Sequence, residues 1–182
     1  YVTRQKVGGT ALKYFVVKQL AVASPEMLEK SKIGTETFAA FLFPRVLELV
    51  YTSHDLTALA RDCGYSGPPF VWDEARRFEI RCELDAAFLH LYLPSTDTGH
   101  WQPAHGETAA ALTALQSAFP TPRHAAEHIL NTFPLIREAD EKLHGHYRTR
   151  SRILTLYDAM LAAQRTGTAF QSSLSPLPGP LK

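Results

Sequence analysis

Apolar residues recur along most of this chain at the spacing of one helix face. Between Thr35 and Val50, Phe38, Phe41, Leu42, Val46, Leu49 and Val50 fall one, three or four residues apart. Pro44 either breaks that run into two pieces or forms the first turn of the second. Ser53 predicts the cap of a short helix over 54–62, which Gly64 ends, and 64–69 reads as a loop. Asp73 caps the longest predicted helix, 74–93, with a stripe of Phe78, Leu84, Phe88, Leu91 and Tyr92 and an expected ion pair between Arg81 and Asp85. A turn-rich loop fills 94–107 and a helix follows over 109–118. Thr121-Pro122, cap and proline in their favoured places, starts another that runs to Asn131 and stops at Phe133-Pro134. The last two predicted helices are 135–143 and 148–164, the latter with a stripe of Ile153, Leu154, Tyr157, Met160 and Leu161.

The two ends read differently. Runs 1–7 and 14–17 are compatible with strands and flank Gly8-Gly9, a pair that tolerates positive φ, so 1–23 is expected to carry a β-hairpin. Ser24-Pro25 then caps and opens a short helix to Lys30. Residues 166–182, rich in Ser, Pro and Gly, read as a loose tail. The expected class is mainly α: a helical domain over 24–165 with a small N-terminal β-hairpin element. No internal repeat is visible.

Composition narrows the function classes. The chain has 182 residues, 45% hydrophobic and 20% charged, with a formal net charge of +1, which suits one domain with a sizeable core and excludes wholesale disorder. The longest apolar run, 38–43, falls far short of the roughly 20 residues a bilayer requires. Arg4, Lys6, Lys13 and Lys18 break up any signal-peptide core. Cys63 and Cys82 are too few for a disulfide scaffold and are not spaced as a metal knuckle. A soluble, cytoplasmic protein without a membrane partner is expected. Opening at Tyr1 with no initiator Met, it reads as a piece cut from something longer.

Charge is unevenly placed. No acid precedes Glu26, whereas Arg4, Lys6, Lys13 and Lys18 are basic, and 144–152 forms a second basic patch that also lacks an acid. Such patches mark either a nucleic-acid surface or solvated charge paired with neighbouring acids. Arg148, Arg150 and Arg152 fall in the first turns of the last predicted helix, where the dipole disfavours cations. Either Glu138, Asp140 and Glu141 fold back to pair with them, or an external anion such as phosphate does. At the other end, Gly8 and Gly9 allow close backbone approach, and Arg4, Lys6 and Lys13 are placed to meet phosphates; an ordinary hairpin turn is the plain alternative.

Catalytic patterns are weak. His124, Glu127 and His128 match the H-x-x-E-H spacing of inverted zinc peptidases, since residues four apart share a helix face, but no third ligand carries a supporting signature. Gly64-Tyr65-Ser66-Gly67-Pro68 lacks the final glycine and preceding strand of a nucleophile elbow. Gly8-Gly9 has neither phosphate-loop nor dinucleotide spacing.

Several blocks together resemble one family. Arg4-Gln5-Lys6-Val7-Gly8-Gly9-Thr10 followed by Lys13-Tyr14-Phe15-Val16-Val17-Lys18-Gln19-Leu20 is similar to the end of the target-recognition region in large adenine-specific DNA methyltransferases of the restriction-modification and phage-defence type. Ala21 stands where that family usually has the first proline of its exit from this region. The blocks Pro44 to Leu56 (with His54 in place of an expected Trp), Pro68 to Arg77, Glu83 to Phe88, and Thr132-Phe133-Pro134 leading to Tyr147-Arg148-Thr149-Arg150 agree in order, over about residues 4–163.

The resemblance implies a parent enzyme that transfers a methyl group from S-adenosylmethionine to adenine in a specific DNA sequence. Its Asn-Pro-Pro-Tyr motif has no counterpart here, because the single Asn131 is followed by Thr132-Phe133-Pro134, and the glycine-rich cofactor loop is missing too. The chain is therefore expected to be the non-catalytic, specificity-side portion. It would position double-stranded DNA or brace the recognition domain against the N-terminal catalytic part of the same parent. Arg4, Lys6, Gly8, Gly9, Lys13, Arg148, Arg150 and Arg152 are the expected nucleic-acid contacts. One rival is a protein-interaction domain of a phage-defence complex without DNA contact, which predicts assembly through an exposed apolar helix face. The remote rival is a zinc hydrolase using His124, Glu127 and His128.

Overall fold

The computed structural model of the chain describes residues 14–18, 20–103 and 107–179. Tyr14–Val17 (α1) is a helical turn, where a strand is expected, and the runs 1–7 and Gly8-Gly9 lie outside the described residues. Helix α2 is Pro25–Lys30, with Ser24 Oγ accepting from the Met27 N–H. The β element lies beyond the predicted hairpin region: Lys32–Ile33 (β1) and Glu36–Thr37 (β2) pair antiparallel around Gly34. The fold is mainly α with this small hairpin.

Phe38–Val50 (α3) is one unbroken helix with Pro44 inside it, rather than two pieces. Thr37 Oγ1 caps its N-terminus by accepting from Ala40 N–H. A 3₁₀ turn, His54–Leu56, runs into Thr57–Asp62 (α4), and Ser53 caps the pair. Glu74–Tyr92 (α5) starts at Asp73, whose Oδ1 accepts from the Arg76 N–H at 2.9 Å. Ala109–Ala118 (α6), Pro122–Asn131 (α7), Pro134–His144 (α8) and Arg148–Thr166 (α9) follow. Their caps come from Thr108 for α6 and Thr121 for α7, while α8 opens on its own proline.

The core forms where α5 and α9 pack together, with α3 and α7 against them. Phe41, Ile80, Ile153, Tyr157 and Met160 are almost completely buried there. Helix α5 buries Ile80, Cys82, Glu83, Leu84, Ala86, Ala87 and Leu91, more than half of its circumference. Of the predicted α5 stripe, Leu84 and Leu91 are buried, but Phe88 and Tyr92 point outward and stack on each other. They sit about 100° round the helix from the core positions, so the sequence stripe had merged two faces. Arg81 pairs with Glu74 at 2.9 Å rather than with Asp85. A smaller cluster gathers Leu47, Tyr51 and Ala60 under the 64–70 loop, where Tyr65 and Phe70 stack.

Two ion pairs join α3 to α5, one fully buried and one partly exposed on its arginine side. Arg45 bonds Glu83 through Nε and Nη2 at 2.7 Å, donates from Nη1 to Phe41 O, and lies 3.4 Å from the Phe41 ring centroid. Glu48 takes Arg76 at 2.5 Å and 3.1 Å. The C-terminal segment completes both sites. Ser172 Oγ donates to Glu83 at 2.6 Å, the Gly179 N–H donates to Glu48 at 2.9 Å, and Arg76 also donates to Pro176 O. Phe170 packs edge-on against Phe41. Residues 168–179 lack helix and strand, yet these bonds hold them across α3 and α5, and the expected loose tail does not fit them.

Candidate nucleic-acid interface

The first turns of α9 carry three of the expected contacts. Gly145, at φ 74°, ends α8 in the left-handed region, and the chain turns directly into α9. Tyr147 precedes that helix without a capping side chain of its own. Asp140 of α8 supplies the cap, its Oδ2 accepting from the Thr149 N–H at 2.6 Å. Here the acid answers the exposed backbone donors and the positive end of the dipole. Tyr147 OH donates to Leu130 O at 3.0 Å, and burial, aided by the Asp140 charge, pushes this phenol above its ordinary pKa.

The arginines face acids from other helices. Arg150 pairs with Glu127 of α7, which also faces Arg123 at 3.7 Å, and Arg123 makes a two-pronged pair with Asp158 at 2.6 and 2.9 Å. That bond holds the Arg123 guanidinium pKa above its usual value. Arg152 reaches Glu79 of α5 at 2.7 Å and Ser173 at 2.8 Å. Arg148 is different: its guanidinium lies 3.9 Å from the Phe78 ring centroid and its Nη1 is 3.4 Å from His144 Nε2. No ion pair to Arg148 exists among the described residues. Of the three acids expected to fold back, only Asp140 does so, and onto backbone; Glu141 pairs with Arg137 at 2.7 Å. Pairs this exposed contribute up to about 1 kcal/mol each, but they tie α9 to α5 and α7 and commit Arg150 and Arg152 internally. Arg4, Lys6, Gly8, Gly9 and Lys13 lie outside the described residues.

The surface also carries a feature the sequence reading missed. Helix α3 turns its charged members inward, so Phe43, Val46 and Val50, spaced three and four apart, stand outward at 46%, 43% and 42% exposure. Leu135 and Leu143 of α8 are exposed as well. A signal was available in 38–50: apolar residues occupy most of that helix's circumference, so burying one face must leave another uncovered.

The zinc pattern does not assemble. His124 Nδ1 is 2.7 Å from Thr121 Oγ1, His128 lies against Phe119, and Glu127 is held by two arginines. Among the described residues no three His, Cys, Asp or Glu side chains come together as a ligand set. No helix among the described residues is long and apolar enough to cross a membrane. Compared with family models, curated proteins and solved structures, the chain matches none.

Proposed function

We propose that this chain is a non-catalytic helical brace: the C-terminal portion of a cytoplasmic, S-adenosylmethionine-dependent adenine-specific DNA methyltransferase of the type its sequence resembles. In this reading it seats the target-recognition part against the catalytic part, which holds the cofactor and the flipped base. The observation that carries the bracing role is the outward apolar face of α3, where Phe43, Val46 and Val50 are exposed while Arg45 and Glu48 are buried. Apolar side chains grouped on one face favour a protein contact over open water. A phage-defence interaction domain would use the same face, with a different partner.

A second reading, DNA positioning, is favoured by Arg148, which faces a ring and an imidazole rather than an acid. With Arg4, Lys6, Gly8, Gly9 and Lys13 it would meet phosphates. Two measurements separate these readings. Co-expression with the methyltransferase part should give a complex that Val46→Asp with Val50→Asp abolishes; retention of the complex by that variant refutes the brace. Binding to duplex DNA across a salt series, beside a variant with Arg148, Arg150 and Arg152 changed to Ala, should show no difference between the two if bracing is the whole role. A shallower salt slope in the variant would place α9 on the phosphate backbone.

A further inference from the structure

Helix α8 lies on the surface, with none of its 11 residues buried. Isolated helices of this length are marginal in water, and helices in proteins draw most of their stability from packing an amphipathic face. Helix α8 turns such a face to solvent. Leu135, Ala139 and Leu143, four residues apart, fall within about 80° of its circumference, and the two leucines are 67% and 77% exposed. Glu138 and Lys142 follow one edge of this stripe. Both are exposed, and neither forms a hydrogen bond or ion pair among the described residues. The other charged groups of α8 have partners: Arg137 and Glu141 pair with each other at 2.7 Å, and Asp140 turns towards α9 to cap Thr149.

We propose that α8 is a self-association surface, pairing antiparallel with α8 of a second copy of this chain about a two-fold axis at Ala139. The contact goes beyond the bracing reading and uses a different face from that of α3. Two features select a second copy as the occupant. The first is that the stripe reads the same from either end: with Ala139 on the axis, Leu135 of each copy meets Leu143 of the other. A small residue at the crossing lets the two helix axes approach to about 8 Å. The second is charge. Reversing one helix about Ala139 leaves Lys142 of one copy about 3 Å along the axis from Glu138 of the other, and the symmetry makes this pair twice. Each charge then gains the partner that it lacks within its own chain.

The helix is about 16 Å long, so the crossing is small and the association weak and reversible. Sedimentation equilibrium of the full chain between about 10 µM and 1 mM should show monomer and dimer exchanging. Ala139→Gln, which keeps a good helix former but crowds the axis, should abolish the dimer with the circular dichroism spectrum unchanged. Glu138→Lys and Lys142→Glu should each weaken self-association about tenfold, because each sets like charges across the axis. Mixed in equal amounts, these two variants should form a heterodimer as strong as the native pair, a result that no effect within one chain produces. A monomer throughout the range, a dimer undiminished by Ala139→Gln, or no recovery on mixing overturns the proposal. Val46→Asp with Val50→Asp should leave the dimer intact, and its loss in that variant would overturn the proposal by assigning the contact to α3. Failure of the brace in co-expression leaves this dimer standing, and a monomeric chain leaves the brace standing.

Discussion

Replacing Glu83 with Leu removes the carboxylate that pairs with Arg45 in the core, the only one to do so among the described residues. Arg45 is 6% exposed and Glu83 0%, so water cannot substitute for the missing partner. The guanidinium would keep the Phe41 carbonyl and ring, but the two bonds from Nε and Nη2 would end on a side chain that cannot accept them. Breaking one side of a buried ion pair costs about 3–5 kcal/mol, and the partly buried Ser172 hydroxyl, which loses its acceptor but keeps the Leu174 N–H, adds at most about 1 kcal/mol. Against a typical total of roughly 5–15 kcal/mol, that brings the variant close to unfolding. Arg45→Met alone should cost a similar amount, because it strands the carboxylate with Ser172 as its one donor. The double variant, Arg45→Met with Glu83→Leu, should lose much less than the sum, since two apolar side chains of similar bulk fill the same volume without buried charge. Urea denaturation followed by far-UV circular dichroism measures all three, with equal m-values as the check on comparability. If Glu83→Leu costs under about 1 kcal/mol, or the double variant is as damaged as the sum of the singles, the account of this pair is wrong.

His90 donates from Nε2 to Tyr157 O at 2.9 Å and stacks on the Tyr157 ring, and burial lowers its pKa from 6.5 to about 4. Because the unfolded chain takes up that proton first, the contribution of His90 is complete above pH 6.5 and falls away towards pH 4, by roughly 3 kcal/mol. Urea midpoints between pH 7.5 and 4 should show this loss, and His90→Phe should flatten it. Two glycines with positive φ should respond differently to alanine. Gly145, at φ 74° with open space around it, should lose about 1 kcal/mol, a Tm drop of about 2–4 °C. Gly34, at φ 59°, would place a Cβ 2.0 Å from Thr168 O and should drop at least twice as far; equal drops would refute the packing argument.

Helix boundaries were legible where the code is local. Ser24-Pro25, Asp73 and Thr121-Pro122 act within three residues of themselves, and each cap forms as its residue type predicts. Charge partners were not legible. Arg81 lies four residues from Asp85 but reaches Glu74 seven residues back, while Arg152 finds Glu79 in another helix, 73 residues away. Helical spacing permits several pairings, and only the packing of α5, α7 and α9 selects among them. Pro44 misled for a related reason: neighbouring elements hold 38–50 helical despite the missing N–H, so tertiary contacts outweigh the local penalty. The same dependence on packing hid the outward face of α3, because nothing local indicates that Arg45 and Glu48 turn inward.

The bonds from residues 172 and 179 to Glu83 and Glu48 also constrain the order in which the protein can be made. Glu48 waits for a donor 131 residues further along, and Glu83 for one 89 residues further along. A nascent chain that has released α3 and α5 from the ribosome therefore holds two core carboxylates whose full sets of donors have not been synthesised. Its α5 surface must wait as well for α9, the helix that buries it. Contacts so distant in sequence close late and leave apolar surface open meanwhile. Completion of the core is thus coupled to emergence of the final dozen or so described residues, and a stalled or truncated chain is the form most exposed to aggregation and chaperone capture.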